Sequence, residues 1–498
     1  MSLKFITAEE AAEFIHHDYT VGFSGFTPSG CPKVVPGAIA EKAIAEHKKG
    51  NPFQIGMITG ASSDDTEDGV LARAHAIKFR TPYQTNKSIR DLINERGTEY
   101  YDLHLSEVAQ MLRYGFLGKI DVAIIEVADV TEDGEIVPTS GVGITPTICR
   151  LADKIILELN SYHPKEIRGI HDIYEPADPP YRREIPIYKP SDRIGTNHVK
   201  VDVNKIVGVV RTNVPNEGKK FTPIDEVTMA IGQNVADFLA HELKVGRLPK
   251  EFVPFQSGVG NVANAVLGCM GANENIPAFN IYTEVIQDAV VGLMESGRVK
   301  FASGCAFTVS NEALMKVYNN LDFFKDKILL RPQEISNNPE VVRRLGVIGI
   351  NTALEADIFG NVNSSHVSGT RMMNGIGGSG DFTRSSMLSI FTTPSTAKNG
   401  NISAFVPMVS HMDHSEHSVK IIISEYGVAD LRGKSPVQRA RCIIDKCVHP
   451  DYKPLLNEYL DMGIKGHIPQ NLKCCFAFHN EFAKSGDMHN VDWSVYNK

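Results

Sequence analysis

A chain of 498 residues, 42% hydrophobic and 22% charged, has the composition of a folded globular protein and the length for more than one domain. Its net charge of −8 and pI near 6.1 exclude nucleic acid and anionic lipid surfaces as main partners and leave small metabolites. The opening MSLKFITAEEAAEFIHH has no apolar signal core and no apolar run reaches spanning length, so the expected location is the cytoplasm, off the membrane.

Thr7, followed three residues later by Glu10, makes a capping box for a first helix whose apolar stripe is Ala11, Phe14 and Ile15. A strand over 20–23 then runs into the turn Ser24-Gly25-Phe26-Thr27-Pro28-Ser29-Gly30, and a helix follows over 34–45. No Lys-Ser/Thr pair follows that turn, which excludes a nucleotide P-loop. Further strands are expected at 54–59, 101–105, 122–127 and 155–159, with helical patterns between several of them, the signature of a largely parallel sheet. Residues 161–223, rich in proline and charge, read as a long surface excursion that returns to a strand at 207–211, so a domain boundary is placed near 220. The eight cysteines (Cys31, Cys149, Cys269, Cys305, Cys442, Cys447, Cys474 and Cys475) are scattered, as expected of free thiols.

Two passages echo one another. Ile125-Glu126-Val127-Ala128-Asp129, Gly134, Gly141, Gly143 and Lys154-Ile155-Ile156-Leu157-Glu158 are matched by Leu354-Glu355-Ala356-Asp357, Gly360, Gly375 to Gly380 and Lys420-Ile421-Ile422-Ile423-Ser424-Glu425. This is the pattern of a diverged duplication and predicts two related α/β domains.

The second half carries the chemistry. Gln256 to Asn261 form a glycine turn opening a helix over 262–267, so backbone N–H groups face whatever sits above the turn. A buried strand over 279–282 then delivers Glu284 at its end, where open α/β sheets bind ligands; taken alone, an acid there reads first as the cap of the next helix. The second glycine cluster is Gly375-Ile376-Gly377-Gly378-Ser379-Gly380-Asp381-Phe382.

Together these clusters and Tyr282-Thr283-Glu284 resemble the class I coenzyme A transferases, specifically the acetyl-CoA hydrolase/transferase family, along nearly the full length of the chain. The resemblance implies two tandem open α/β domains, 1–220 and a catalytic 221–498, with the active site in the crevice between them. It implies exchange of CoA between a short-chain acyl-CoA, such as succinyl-CoA or acetyl-CoA, and a carboxylate, such as acetate or succinate. Glu284 would be the nucleophile, passing through a glutamyl-CoA thioester with ping-pong kinetics. Gly378 and Asn337 would be oxyanion donors, and Glu425 a further active-site carboxylate, with pairing to Arg432 as its alternative. Val259, Gly260, Asn261, Val262, Ala263, Leu354, Asn374, Gly378 and Lys398 would line the CoA groove, although Lys398 on its own reads as a solvated turn lysine. The family often carries an arginine after Pro-Asp; this chain has Pro215-Asn216-Glu217-Gly218.

Coenzyme A enters as substrate, with no permanently bound cofactor, and a homodimer is expected. His411, His414 and His417, with Asp413 and Glu416, have ligand-like chemistry for a divalent metal but not zinc spacing, and the reading favoured is a hydrogen-bonded polar loop with at most an adventitious metal. The tail from Lys473, with the single Trp493, reads as a peripheral lid or packing arm. Acetyl-CoA hydrolase is the alternative at the same site. A dinucleotide-binding protein is the alternative of another class, opposed by the absence of a strand, Gly-x-Gly-x-x-Gly, helix order.

Overall fold

The computed structural model describes residues 3–218 and 223–496. Thr7 and Glu10 close their capping box reciprocally, Glu10 N–H donating to Thr7 Oγ1 at 3.1 Å and Thr7 N–H to Glu10 Oε2 at 2.9 Å. The helix they start is short, Ala8–Ala12, and Ile15 beyond it is fully buried.

In the first sheet, strands β1 (Thr20–Phe23), β2 (Ile55–Thr59), β3 (Ile77–Thr81), β4 (Glu99–Tyr100), β5 (Val122–Val130), β7 (Lys154–Asn160) and β9 (Ile206–Thr212) are parallel, in the order β4-β3-β2-β1-β5-β7-β9. Strands β6 (Glu135–Pro138) and β8 (Val199–Lys200) add antiparallel at the far end of β5. Every residue of β2 is buried, as apolar runs covered on both faces require. One face, including Val21, Phe23, Ile55, Met57, Val122 and Ile124, packs with Val35, Ile39 and Ala43 of the helix Val35–Lys48.

The strand expected at 101–105 does not form: β4 stops at Tyr100 and a helix, Leu105–Arg113, begins at its end. Asp102 there is committed to bonding another backbone segment, described below. The excursion over 161–223 is also no free surface loop. Ile167, Ile170, Ile185 and Ile187 are buried, and the buried Arg331 guanidinium is paired with Asp172 and donates to the carbonyl of Pro190 at 3.1 Å. A buried guanidinium needs several acceptors at once, and the excursion supplies them.

The chain divides into two interleaved units, Met1–Lys220, Asn280–Leu345 and Asn374–Asp381 forming the first, and Phe221–Phe279, Gly346–Met373 and Phe382–Lys498 the second. The expectation of consecutive domains, 1–220 and 221–498, thus meets a chain that returns twice to its first unit. After β10 (Phe255–Ser257) in unit 2, unit 1 resumes at Asn280, within β11 (Phe279–Tyr282), and adds β12 (Val299–Gly304) and β13 (Ile328–Leu330), the three adjacent in that order. Unit 2 then adds β14 (Ile348–Thr352), β15 (Leu388–Thr392), β16 (Ile421–Ser424) and β17 (Gly427–Asp430).

In unit 2 the order β10-β14-β15-β16, all parallel, repeats the order β1-β5-β7-β9 of unit 1. The sequence echo matched β7 with β16, whereas by position in the sheet β7 corresponds to β15. Any doubly covered parallel strand reads as a β-branched run, so such a run cannot say which strand it is. The tail is a packing arm, and not a peripheral one. Trp493 is 2% exposed and packs among Tyr459, Phe478 and the other core residues of unit 2.

Candidate active site

Glu284 leaves β11 between two pinned peptides. Thr283 N–H donates to Ser303 O at 2.9 Å, Cys305 N–H donates to Glu284 O at 2.8 Å, and Val285–Ile286 pairs in parallel with Ala306–Phe307. Its side chain therefore projects from a fixed point. It caps no helix: the next one, Asp288–Glu295, has Gln287 at its N-cap.

Asn337 ends a single helical turn, Gln333–Ser336. That turn is fixed from several directions: Gln333 Nε2 donates to Leu105 O at 2.9 Å, Tyr282 Oη to Ile335 O at 2.5 Å, and Arg113 grips Glu334 with two bonds of 2.7 and 2.6 Å. A two-pronged guanidinium–carboxylate contact fixes angle as well as distance. Asn337 Nδ2 then donates to Glu284 Oε2 at 2.6 Å, and its Oδ1 accepts from Ser336 Oγ at 2.8 Å.

The third component is the glycine loop 374–381. Tyr100 Oη donates to Asn374 O at 2.5 Å, and Ile376 N–H donates to Asp102 Oδ2 at 2.7 Å. Gly378 lies directly against the carboxylate, so that a methyl group on it would overlap Glu284 Oε2 and stand 2.5 Å from Asn337 Nδ2. Gly380 is pressed as closely onto the His104 ring. Only glycine permits such approach, which explains the cluster in physical terms.

Glu284 is partly buried, and loss of solvent pushes its carboxyl up to about 7, against the opposing Asn337 bond. Burial, with the facing Glu284 charge, pushes the Tyr83 phenol up to about 12. A carboxylate stripped of much of its water and held by one amide is a better nucleophile than a solvated one.

Glu284, Asn337, Gly378 and Asn374 all belong to unit 1, while Glu425, Val259, Gly260, Asn261, Val262, Ala263, Leu354 and Lys398 belong to unit 2. In unit 2, Gly260 takes φ +121° as the N-cap of the helix Asn261–Ala272, and Val259 and Leu354 are exposed. Lys398 is exposed on a hairpin turn with φ +48°, its ammonium 5.0 Å from the Phe482 ring centre. Glu425 does not pair with Arg432. Its carboxylate accepts from Ser395 N–H at 2.9 Å and Ser395 Oγ at 2.5 Å, whereas Arg432 bonds Asp430 and Glu242.

His411 approaches Asp413 at 3.3 Å, His414 is buried against Phe391, and His417 is exposed beside Glu416. Among the described residues no group of three or more His, Cys, Asp or Glu side chains could hold a metal ion, and no helix is long and apolar enough to cross a membrane. Where the family often has its arginine, Asn216 is buried with Nδ2 2.8 Å from Ser140 Oγ, and Glu217 accepts from Asp65 N–H at 3.0 Å.

Sequence reasoning missed Tyr83, Tyr100, Asp102, His104 and Ser106, which support the loop from the N-terminal region. Asp381 was the one acid inside the quoted glycine cluster, and that was the signal available for it.

Family models of the acetyl-CoA hydrolase/transferase N-terminal and C-terminal domains match residues 2–211 and 314–460. A propanoyl-CoA:succinate CoA transferase of Escherichia coli is 50% identical, covering 97% of this chain and 98% of its own. A succinyl-CoA:acetate CoA-transferase of Clostridium kluyveri is 48% identical over 97% and 90%. An acetyl-CoA hydrolase of Schizosaccharomyces pombe is 42% identical over 96% and 95%. Among solved structures, RipA from Yersinia pestis superposes with a TM-score of 0.70 at 21% identity, covering 91% of this chain and 96% of its own. A 4-hydroxybutyrate CoA-transferase from Porphyromonas gingivalis gives 0.61 at 22%, with the same coverage. These two show the fold, and the matches along the sequence show that the chain belongs to the acetyl-CoA hydrolase/transferase family.

Proposed function

We propose that the protein is a CoA-transferase exchanging CoA between succinyl-CoA or acetyl-CoA and a short-chain carboxylate, with Glu284 as nucleophile. The observation that carries this reading is the contact of Glu284 Oε2 with Asn337 Nδ2 at 2.6 Å, beside a glycine that no side chain could replace. The Glu284 carboxylate adds to the thioester carbonyl, the C–S bond breaks, and CoA leaves as thiolate from an acyl-glutamyl anhydride. The thiolate then adds to the glutamyl carbonyl, the anhydride C–O bond breaks, and the donor acid leaves as carboxylate. The enzyme now holds a glutamyl-CoA thioester, and the second carboxylate reverses the two steps.

Each tetrahedral intermediate carries an oxyanion, for which Asn337 Nδ2–H and Gly378 N–H are the proposed donors. The glycine turn at Val259–Ala263, with Leu354, Asn374 and Lys398, is proposed to hold CoA, and Glu425 to act as a second active-site carboxylate. No cofactor is bound permanently in this reading, and the enzyme works as a cytoplasmic homodimer, which light scattering and cell fractionation test.

Hydrolysis is the second reading, favoured by the acetyl-CoA hydrolase name of the Schizosaccharomyces pombe relative. One incubation separates the two. Enzyme with acetyl-CoA alone, then with succinate, is followed for free thiol and succinyl-CoA separately. Transfer predicts a slow thiol leak that succinate suppresses, because acceptor and water compete for one thioester. Thiol release without acceptor at a rate comparable to succinyl-CoA formation overturns transfer in favour of hydrolysis.

A further inference from the structure

Asp381 is 4% exposed and lies in the glycine loop, three residues past Gly378. Its Oδ1 accepts from Ser106 Oγ at 2.6 Å and its Oδ2 from Ser106 N–H at 3.1 Å. Ser106 N–H belongs to the first turn of the helix Leu105–Arg113, whose own N-cap residue, His104, makes no side-chain capping bond. The carboxylate therefore caps that helix from outside, against the positive end of its dipole. The same Oδ2 lies 3.4 Å from Asn337 Nδ2 as acceptor. An amide nitrogen has two hydrogens: here one points at Asp381 and the other at Glu284. With Ser336 Oγ donating to Asn337 Oδ1, the amide is held in one of its two flips.

We propose that Asp381 is a positioning residue for the exchange: anchored by Ser106 at the helix N-terminus, it fixes the Asn337 amide so that its other N–H is aimed at the Glu284 carboxyl. This rests on the assignment of Glu284 as nucleophile. A helix cap alone would need only Ser106; the further approach to Asn337 joins the cap to the reacting group. Without it the Ser336 bond alone opposes a turn of the amide oxygen toward Glu284, which would place an acceptor where the oxyanion needs a donor. Facing Asp381 are Ser106 and His104 from the N-terminal flank of the helix Leu105–Arg113, Asn337 from the turn after Gln333–Ser336, and Glu284 from the end of β11. Burial and the Glu284 charge raise the Asp381 carboxyl, while Ser106 and His104 oppose this. When Glu284 becomes a neutral thioester that repulsion disappears, so the two carboxyls are coupled through the catalytic cycle.

The test uses the full chain with Asp381→Ala and Asp381→Asn, measuring kcat, KM, the pH profile of kcat/KM, and the CoA adduct at Glu284 by intact mass after mixing with acetyl-CoA. Asp381→Ala should lower kcat by roughly ten- to a hundredfold, the cost of a misdirected donor, and leave KM for acetyl-CoA unchanged. Asp381→Asn keeps an acceptor for Asn337 and should recover most of that loss. It also removes a negative charge facing Glu284, so the acid limb of its kcat/KM profile should move to lower pH. A wild-type kcat in Asp381→Ala overturns the inference. So does a loss that Asp381→Asn neither recovers nor accompanies with a moved acid limb. Should Asp381→Ala not fold, the acid limb of Asp381→Asn alone decides. Failure of the wild-type enzyme to form the adduct would instead remove the nucleophile assignment itself.

Discussion

Glu284 and Glu425 are both glutamates placed just past the end of a strand, one in each unit, yet their surroundings differ in kind. Glu425 has its carboxylate filled by the N–H and hydroxyl of one serine, Ser395. Glu284 has Asn337 on one oxygen, a glycine backbone pressed against it, and a proton affinity raised by poor solvation. The position at a strand end supplies a carboxylate; the desolvation sets Glu284 apart and is what suits it to the proposed role of nucleophile.

The largest effect should come from removing that nucleophile. Glu284→Ala is expected to abolish exchange and CoA-adduct formation while the melting transition persists, because a carboxylate at this edge carries little core. Substantial exchange in this variant would transfer the role to Glu425 and invert the comparison. Next, Asn337→Ala removes one oxyanion donor and should lower kcat by about 10²–10³-fold. Gly378→Ala should lose at least as much, since its methyl would occupy the space of Glu284 Oε2; kcat near wild type would show that the loop can retreat. Glu425→Gln should cost less, at most about a hundredfold in kcat, the lower range for an assisting carboxylate.

The smallest effect is thermodynamic. A carboxyl raised from 4.5 to about 7 in the folded state binds its proton more tightly there than in the unfolded chain. Its contribution to stability is present below about pH 4.5 and is lost as pH rises through 7. Glu284→Gln should therefore be more stable to unfolding than wild type at pH 8, by at most about 3 kcal/mol, and the two should converge near pH 4. Curves that stay parallel across this range would show that Glu284 is as well solvated as an ordinary surface acid. In the active enzyme the same shift places the rise of kcat/KM near pH 7, where the carboxylate form becomes dominant.

Much of the scaffold was readable in advance because its signals are local. The capping box at Thr7 and Glu10, the strand Thr20–Phe23 and the strand Phe279–Tyr282 follow from residue types at short spacing. The candidates Glu284, Asn337 and Gly378 came from family motifs, and the structure brings the three together. What escaped depends on contacts distant in sequence. Asp102 looked like part of a strand because its partner, the N–H of Ile376, is not visible from residues 99–105. Ile185 and Ile187 looked like surface residues because the Arg344 guanidinium bonding their carbonyls lies far along the chain. Trp493 looked peripheral because it is near the end of the chain, yet its partners Tyr459 and Phe478 enclose it.

The interleaving of the units has a consequence for how the protein is made. Tyr100 and Asn374, whose bond anchors the glycine loop, are separated by 274 residues. On the ribosome the first 220 residues emerge long before the segments that complete unit 1, so the buried acceptors awaiting Arg331 and the helix end awaiting Asp381 stay unmet until late in synthesis. The proposed nucleophile thus acquires its surroundings only when residues 374–381 arrive, so on this reading an incomplete nascent chain lacks the apparatus to attack the cell's thioesters.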